Sequence, residues 1–570
     1  MTMKSLSKFI TVIAITCMAV SCKKPLDEQA YTFVSGEDLI RTGNYKELVA
    51  GAYNTLSFPF EWGNYHNIVN FDVDYQSGPT WAFGEIGAGN FYENGSARSF
   101  YQSYYQAIHR ANYHSYLVSQ MNVPEDEKNN AIGELKFLKA WAYFNLVQFY
   151  GDVVLYTTSV SEGAPLYKPR SPIKDVYEHI IEELKIAETA MYSTHSSKYQ
   201  KGHPSSGAAK ALLAKVYCTI GSASMATGSP VSVMGGIAFY YDDNGNKVRV
   251  PYPAKQNFAK NQVAGYESFD SKEYYRLGME KAKELIELND FDLYGSQAEL
   301  WAPGSKNGKE FIFTLQTIAG NAALSNFVAT DYCGYYMPSG QLQSGYYVQR
   351  DHWYQLFDDG DERITWGVMH RVPFTYDANT NTLYYSYYPA KDSVKVRLGL
   401  DGYKPTDQLR YDAHLYGSKL MKFRQVSNAL DGNRTDFNFP FMRYAEVLLL
   451  YAEADNEVNG LPSAYAIQQV DKLNARNKAV LAATMGTNTP WTQESFRSYI
   501  LQERAKEFAA EGIRRFDLLR WGIYLQTMNA LGGTDENGVI KRREQRHLLL
   551  PLPADEVNTN PFIEANNPGW

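Results

Sequence analysis

The sequence contains few cysteines, no basic excess and no long apolar run beyond its amino terminus. Four cysteines in 570 residues are too few for a disulfide scaffold or a cysteine-built zinc ribbon. With 55 Lys and Arg against 62 Asp and Glu, the formal charge is −7, which disfavours a dedicated nucleic-acid binder. After residue 22, no stretch reaches the roughly 20 apolar residues that a transmembrane helix needs.

The motifs of several enzyme classes are also missing. The ten histidines form no His-Glu-x-x-His pair, and neither Gly-x-Ser-x-Gly nor a phosphate-binding glycine loop is present. Asp242, Asn244 and Asn246 alternate as calcium ligands do. However, no glutamate occupies the twelfth position of an EF-hand loop, and Asn244-Gly245 is typical of a hairpin turn. We therefore expect no catalytic residue, no cofactor and no metal site.

The first 22 residues resemble a bacterial export signal. Lys4 and Lys8 precede the apolar run 9–19, which is too short to cross a bilayer. The run leads into Ala19-Val20-Ser21-Cys22, which resembles a lipobox, where cleavage leaves Cys22 as the acylated first residue. Ordinary signal cleavage beside an incidental cysteine is the alternative. Acyl chains that contribute about 0.8 kcal/mol per buried CH₂ would form a stable membrane anchor.

Two of the remaining cysteines, Cys218 and Cys333, leave two interpretations open. Export would permit a disulfide between them. Cys218, however, lies in an apolar helical run and is as easily a buried small side chain. The sequence does not decide between the two.

Helical periodicity runs through much of the chain. In Ala131–Tyr150 the apolar residues recur at spacings of three and four, and the pattern stops at Gly151, a usual residue after a helix. Similar patterns predict helices over 38–57, 99–121, 173–191, 205–220, 272–288, 444–458, 463–477, 494–511 and 515–531. Many of them form pairs around a short turn, which is typical of tetratricopeptide units because each pair buries its stripe against its neighbours.

Three long insertions, 58–98, 229–268 and 291–440, interrupt these pairs. They are rich in Gly, Asn, Asp, Tyr and Trp, and within them 240–250 is typical of a hairpin and 376–383 of a turn. Loops of this length in a compact protein are usually functional. We therefore expect a mainly α fold in which tetratricopeptide-like helix pairs form a scaffold, with long loop-rich insertions and a few short β-hairpins.

Segments along the whole chain carry a family resemblance. They are Cys22–Glu28, Gly133–Leu146, Tyr150–Asp152, Ala208–Tyr217, Arg443–Glu453, Glu503–Trp521, Leu550–Glu556 and Asn560–Pro561. In this order they resemble the SusD/RagB family of outer-membrane lipoproteins. The resemblance implies a signal peptide over 1–21, an amino-terminal half over 22–290 and an integrated carboxyl-terminal half over 291–570.

The resemblance also implies a function. Such proteins are not enzymes: they are lipid-anchored on the outer membrane, face the cell exterior and capture oligosaccharides or polysaccharides. They deliver this ligand to a SusC-type TonB-dependent transporter, with the helix pairs facing the transporter and the loop-rich side carrying the ligand site. The alternative is a peptide-binding lipoprotein of a RagAB-like peptide import system. No nucleic-acid partner is expected.

The densest charge cluster follows residue 503. Glu503, Glu507 and Glu511 share one helix face, so a general acid/base pair can be imagined. Arginines interleaved with them over 504–520 favour a structural network instead, because they would lower the carboxylate pKa values and spoil a general acid. The basic segment Lys541–His547 is interpreted as a solvated loop.

Loop aromatics are the candidates for binding a sugar, since a ring's C–H face packs on an exposed indole or phenol while Asp, Asn or Arg bind the hydroxyls. Trp81 lies in a loop with little helical or strand pattern, shortly after Asp72, Asp74 and Tyr75. Its place between the first and second helices matches where the family commonly has a ligand-stacking aromatic. A loop-anchoring core residue is the alternative.

A second Gly-containing loop could supply the opposite wall of the site through Tyr335 and Tyr336, together with Tyr332. Three other tryptophans are interpreted as packing residues: Trp301, Trp353 and Trp366. The predicted ligand-binding residues are thus Trp81, Asp74, Asp72, Tyr75, Tyr335 and Tyr336.

Overall fold

The computed structural model describes most of the chain and confirms a mainly helical architecture. The described residues are 35–57, 64–318, 321, 324–333, 335–336, 342–343, 345–398, 403–410, 417–424, 426 and 435–570. Cys22, the predicted lipidation site, lies outside them.

The helices fall where the 3.6-residue period predicts them, with shorter helices in the insertions. They are α1 Gly36–Thr42, α2 Tyr45–Tyr53, α3 Asn64–Asn70, α4 Thr80–Phe83, α5 Gly95–Ser119, α6 Glu125–Tyr150, α7 Ile173–Ala190, α8 Ser206–Ser224, α9 Ser271–Leu288, α10 Gln297–Leu300, α11 Val328–Cys333, α12 Asp351–Tyr354, α13 Glu362–Thr365, α14 Lys391–Leu398, α15 Tyr444–Asn459, α16 Ala464–Arg476, α17 Ala482–Asn488, α18 Gln493–Glu507, α19 Arg514–Arg520, α20 Tyr524–Asn529 and α21 Ala554–Thr559.

The predicted helix pairs pack against each other. Helix α5 packs on α6, α7 on α8, and α15 on α16. Contacts of α6 with α7, α8 with α9, and α9 with α15 join the pairs into one scaffold. Helix α7 shows why, since Val176, Ile180, Leu184 and Ala187 are fully buried along one face, as an amphipathic stripe requires.

Two predicted helices are split by a glycine in a left-handed conformation. The segment 38–57 breaks at Gly43, whose φ is +67° and whose N–H caps α1. The segment 515–531 breaks at Gly522, whose φ is +62°. A Cβ at Gly522 would lie 2.3 Å from the carbonyl oxygen of Asn261, so only glycine permits this close approach.

The strands are short and pair two by two, all antiparallel. They are β1 Gln76–Ser77, β2 Val153–Val154, β3 Arg170–Ser171, β4 Pro230–Gly235, β5 Phe239–Tyr241, β6 Lys247–Arg249, β7 Ala254–Ala259, β8 Phe311–Thr314, β9 Tyr335–Tyr336, β10 Leu342–Gln343, β11 Val348–Gln349, β12 Val368–Met369, β13 Arg371–Asp377, β14 Thr382–Tyr387, β15 Lys419–Leu420 and β16 Pro440–Arg443. The pairs are β1–β11, β2–β3, β4–β7, β5–β6, β8–β16, β9–β10, β12–β15 and β13–β14.

The two predicted turns are confirmed as hairpins. Strands β5 and β6 enclose Asn244-Gly245, where Gly245 has φ +79°, and β13 and β14 enclose the turn within 376–383. The carboxylate of Asp242 accepts hydrogen bonds from the backbone N–H groups of Asn244 and Asn246 at 2.9 and 2.8 Å. The alternation of these residues is therefore explained by the turn itself.

The two cysteines in the described chain are free and buried. The Sγ atom of Cys218 sits where α8 approaches α9 so closely that a Cβ at Gly278 would lie 2.7 Å from it. Cys333 donates to the carbonyl oxygen of Leu420 at 3.0 Å. Of the two interpretations left open, the structure supports that of buried small side chains.

Candidate ligand-binding face

Trp81 projects from the surface on the one-turn helix α4. Its side chain is 70% exposed, and its ring meets that of Tyr346 edge-on, with centroids 4.9 Å apart and an interplanar angle of 81°. This edge-to-face contact fixes one edge of the indole and leaves its surface open. Of the two interpretations of Trp81, the structure supports exposure and not a role as a core anchor.

Phe83 anchors the helix that carries Trp81. Its side chain is fully buried and stacks on Phe71 at a centroid distance of 3.8 Å. Gly78 makes room for it, because a Cβ at residue 78 would lie 2.5 Å from the Phe83 ring. Residues that are two positions apart in a helix point to nearly opposite faces. Burial of Phe83 therefore directs Trp81 to solvent.

Two distant segments complete the support beneath Trp81. Strand β1 pairs with β11, which places Tyr346 beside the start of α4. The hydroxyl of Ser77 donates to Asp535 at 2.7 Å and accepts from the amide of Asn537 at 2.9 Å. The platform is therefore assembled from three regions of the chain and is held by buried polar contacts.

A titratable carboxyl group lies next to this platform. The carbonyl oxygen of Asp331 accepts from the N–H groups of Tyr346 and Tyr347 at 2.7 and 3.1 Å. Burial raises the pKa of the Asp331 side chain to about 7, because desolvation penalises the charged form. The carboxyl group of Asp331, a residue whose backbone holds the Tyr346 segment, therefore changes charge near neutral pH.

The predicted ligand role of Asp72 does not fit its position. Its carboxylate is 1% exposed and accepts from Arg515 Nε at 3.0 Å, Arg543 Nε at 2.8 Å and the Tyr524 hydroxyl at 2.5 Å. Burial raises the pKa of Asp72, but the charges of Arg543 and Arg515 outweigh it and hold the pKa below the usual range. The carboxylate is the buried counter-charge of two arginines.

Asp74 and Tyr75 are also turned inward, contrary to the prediction that they contact ligand. Asp74 is 4% exposed, and both of its oxygens accept from Arg514, at 2.9 and 2.7 Å. Tyr75 is equally buried, and its hydroxyl donates to the carbonyl oxygen of Met234 at 2.5 Å. The bidentate pair with Arg514 uses the hydrogen-bonding capacity that a sugar would need.

The predicted opposite wall is described only in part. Tyr335 and Tyr336 form β9, which pairs with β10, but their side chains lie outside what the structure describes. Tyr332 is fully buried, and its ring packs against Tyr347 and Phe423. Tyr332 is therefore a core residue and not part of a surface wall.

The Glu503–Glu507–Glu511 cluster is a buried structural network, as predicted. Arg443 donates to Glu507 at 3.0 Å and to Glu511 at 2.8 Å, while Glu503 accepts from Arg363 at 2.9 Å. Burial raises the pKa of Glu507, but the surrounding arginine charges outweigh it and leave the pKa well below its usual value. A carboxylate held ionised in this way cannot serve as a general acid.

The expectation that Lys541–His547 is a solvated loop holds for only part of it, since residues 542 and 544–546 are exposed whereas three others are buried. Lys541 is fully buried and Arg543 is 3% exposed. The ammonium group of Lys541 donates to the carbonyl oxygens of Val73 and Gln76 at 3.1 and 3.0 Å. This basic segment thus neutralises Asp72 and satisfies the backbone of the loop that precedes Trp81.

The three tryptophans expected to pack in the core do so. Trp301 and Trp353 are 4% and 1% exposed, and their indole N–H groups donate to Gln297 and to the Ala505 carbonyl oxygen at 2.9 and 3.0 Å. Trp366 is partly buried against the same core. Their burial distinguishes these tryptophans from the exposed Trp81.

Tyr346 is the contact of Trp81 that the sequence prediction missed. The pair Tyr346-Tyr347 directly precedes β11, and an extended chain directs successive side chains to opposite faces. Tyr347 is buried and Tyr346 is only partly so. The alternation expected of two tyrosines in an extended segment was the sequence signal that could have identified Tyr346.

Within the described ranges, no group of three or more His, Cys, Asp or Glu side chains is placed to hold a metal ion. Nor does that part of the chain contain a helix with the length and apolarity needed to cross a membrane. A cavity of about 430 Å³ is lined largely by apolar residues that include Phe516, Leu519 and Leu525, and none of the predicted ligand residues lines it.

Comparisons with known proteins agree with this architecture. A family model described as the SusD family matches residues 303–570, and one described as starch-binding and associating with the outer membrane matches 65–218. SusD-like protein P2 of Formosa agariphila is 24% identical over 573 residues, which cover 98% of this chain and 99% of that relative.

Solved structures share the fold. A SusD homolog from Bacteroides thetaiotaomicron superimposes with a TM-score of 0.71 at 20% identity, over 93% of this chain and 97% of that one. A laminarin binding SusD-like protein gives a TM-score of 0.62 at 19% identity, over 93% and 99% of the two chains. The expected helix-pair scaffold with loop-rich insertions is confirmed.

Proposed function

The chain belongs to the SusD family, and we propose that it is a glycan-binding protein that captures oligosaccharides on its loop-rich face. Trp81 is the stacking platform of the proposed site, with Tyr346 fixing its orientation. The proposal assigns no catalytic residue, because the clustered carboxylates of the chain are held ionised by buried arginines. The protein would bind its ligand without changing it.

The observation that carries this proposal is the exposed and immobilised indole of Trp81. A ring of this size left 70% exposed forgoes most of the free energy that its burial would contribute. Its helix is nevertheless fixed by the buried Phe83 and the polar contacts of Ser77. A rigid aromatic platform of this kind suits the C–H face of a pyranose, since little conformational entropy is lost when the sugar binds.

The descriptions of similar proteins support a glycan as the ligand class. One structural neighbour is described as laminarin binding, and one matching family model is described as starch-binding. Both ligands are glucans, which offer the C–H face of a pyranose at every residue of the chain, whereas a peptide offers a ring only at its aromatic and proline residues. Glycan capture is therefore the function that the platform supports best.

The proposed location and partner follow from the family. Cys22 would carry the acyl anchor on the outer membrane, with the receptor facing the cell exterior. A SusC-type TonB-dependent transporter would receive the oligosaccharide from it. Incorporation of labelled palmitate into the full-length chain, and its loss in Cys22→Ser, would support the anchor. Unlabelled wild-type protein would contradict it.

Isothermal titration calorimetry tests the binding site. Laminari-oligosaccharides and other neutral oligosaccharides are titrated into wild type, Trp81→Ala and Trp81→Phe. We expect Trp81→Ala to weaken binding about tenfold or more and Trp81→Phe to retain part of the affinity, because a smaller aromatic face remains.

Phe562→Ala is the matched control, since Phe562 is also an exposed aromatic, at 56%, and should leave affinity unchanged. Equal binding by wild type and Trp81→Ala would remove Trp81 from the site. Peptides that co-purify with the protein, together with no binding to any glycan, would favour the peptide-import alternative.

A further inference from the structure

A surface rich in tyrosine and cations lies on the insertion between residues 371 and 410, and we call it the cationic tyrosine face. It is built on the β13–β14 hairpin, on helix α14 and on the segment 403–410. The backbone of that segment joins the edge of the hairpin, with Tyr385 N–H donating to Gln408 O at 2.9 Å and Arg410 N–H donating to Tyr385 O at 3.0 Å. The face is therefore an ordered surface and not a loose loop.

Lysine and arginine side chains lie over the tyrosine rings of this face. The ammonium groups of Lys391 and Lys395 lie 5.4 and 5.2 Å from the centroid of the same ring, Tyr403. The guanidinium of Arg410 lies 6.0 Å from the ring centroid of Tyr384. Cation–π contacts of this kind orient a cation at about 0.5–1 kcal/mol without neutralising its charge.

Four cations of the face have no carboxylate partner among the described residues, and one of them, Lys391, donates instead to the carbonyl oxygen of Pro405 at 3.1 Å. Lys395, Lys404 and Arg410 are exposed, and none of them forms an ion pair within that part of the chain. Arg371 and Arg397 of the same insertion are paired, with Asp407 at 2.7 Å and with Asp359 at 2.8 Å. Arg371 and Arg397 therefore stabilise the fold, whereas the three exposed cations face solvent.

Repulsion between the two lysine ammonium groups over Tyr403 favours the binding of an anion. Two ammonium groups over one ring repel each other, and the cost is relieved when an anion binds between or beside them. The chain as a whole is acidic, with a formal charge of −7, whereas residues 371–410 hold six Lys and Arg against four Asp. A local positive field on an acidic protein attracts and concentrates anionic ligands.

A contact between two separate strand pairs brings the face towards the proposed platform. Strand β13 contacts β10, and the chain continues from β10 into Tyr346, whose ring touches Trp81. The exposed indole and the cations thus belong to neighbouring elements of the loop-rich side. A ligand longer than one sugar ring could contact both.

We propose that the cationic tyrosine face binds the acidic groups of an anionic oligosaccharide whose neighbouring rings stack on Trp81. This inference rests on the proposed function, which it narrows from glycans in general to those carrying carboxylate or sulfate groups. Lys395, Lys404 and Arg410 contact the acidic groups, while Tyr403 and Tyr384 hold the cations in place. The acidic chain as a whole does not favour a nucleic acid as the polyanion.

The test compares oligosaccharides that differ mainly in charge. Calorimetry is performed with oligogalacturonate, with a sulfated galactan oligosaccharide and with a neutral galacto-oligosaccharide of the same length, from about 50 to about 300 mM salt, where screening strengthens markedly. We expect the wild type to prefer one or both anionic probes, with affinity that falls as salt rises. Preference between the two probes identifies the acidic group.

The variant that tests the face replaces its three exposed unpaired cations, as Lys395→Gln/Lys404→Gln/Arg410→Gln. We expect it to bind the anionic probe about tenfold more weakly, from three screened contacts of a few tenths to 1 kcal/mol each, and to lose the salt dependence. The matched control, Lys174→Gln/Lys185→Gln/Lys283→Gln, changes the net charge equally on helices α7 and α9 and should bind as wild type. Equal midpoints of urea unfolding would verify that all three proteins are folded.

The outcomes separate the two proposals. Binding of neutral oligosaccharides alone, with loss in Trp81→Ala, would overturn the anionic assignment and leave the proposed function standing. Equal loss in both triple variants would also overturn the assignment, because the effect would then come from net charge. Binding to neither anionic probe would overturn the anionic assignment, and absence of binding to the laminari-oligosaccharides and other neutral oligosaccharides as well would overturn both proposals.

Discussion

Replacing Asp72 with asparagine tests whether this carboxylate serves the fold instead of a ligand. In the structure it accepts hydrogen bonds from two guanidiniums and one phenol, and it is 1% exposed. Asp72→Asn keeps the shape of the side chain but removes the charge. Arg515 and Arg543, both nearly inaccessible to solvent, would lose their counter-charge.

The expected cost follows from the burial of all three partners. Removing one member of a buried ion pair costs about 3–5 kcal/mol, because the remaining charge cannot recover its hydration. The asparagine amide keeps one acceptor oxygen in place of two, so we expect a loss of about 3 kcal/mol or more in the free energy of unfolding. Urea denaturation followed by circular dichroism measures it as a lower midpoint.

Asp555→Asn is the matched control for this experiment. Asp555 pairs with Arg98, and both side chains are more than half exposed, so its replacement should cost less than about 1 kcal/mol. If Asp72→Asn costs no more than Asp555→Asn, the buried-network interpretation of Asp72 is refuted. Asp72 would then return to the set of candidate ligand contacts.

Three further predictions concern the platform and the network. Phe83→Ala should destabilise the protein by about 3–5 kcal/mol and weaken oligosaccharide binding in calorimetry, although Phe83 is buried, because it anchors the helix of Trp81. The wild type should lose about 3 kcal/mol of unfolding free energy as the pH rises from about 4 to about 7, because the raised pKa of Asp331 keeps a proton bound in the folded state that the unfolded chain releases. Asp331→Asn should abolish this loss, which urea unfolding measures. Glu507→Gln should lower the stability by about 3–5 kcal/mol without changing ligand affinity at a temperature where the variant is folded.

Each of these predictions has a result that would contradict it. Unchanged affinity in Phe83→Ala would mean that Trp81 does not depend on its helix anchor. Parallel pH profiles of wild type and Asp331→Asn would mean that the folded-state pKa of Asp331 is not raised. A loss of binding in folded Glu507→Gln would give the network a role in the site.

The helical scaffold could be predicted from the sequence because its signals are local. Apolar residues at spacings of three and four specify α6 and α7 without knowledge of their partners. Local composition likewise predicted the exposure of Trp81, in a loop without helical or strand periodicity. The breaks at Gly43 and Gly522 were missed because a single glycine within a periodic pattern is compatible with either a helix or its end.

The predictions for Asp72, Asp74 and the buried residues Lys541 and Arg543 failed for a different reason. Polar residues in irregular segments suggest exposure, and here their partners lie more than 400 residues away along the chain. No spacing rule connects Asp72 with Arg543. Only the folded chain shows that the acidic and the basic segment neutralise each other beneath the loop of Trp81.

Hydrogen–deuterium exchange with and without an oligosaccharide that binds in calorimetry tests the central claim most directly. The account predicts slower exchange on binding in the peptides that cover 78–85 and 345–347, on both sides of the Trp81–Tyr346 contact. Protection confined to the cavity near Leu519 and Leu525, with 78–85 unchanged, would contradict it.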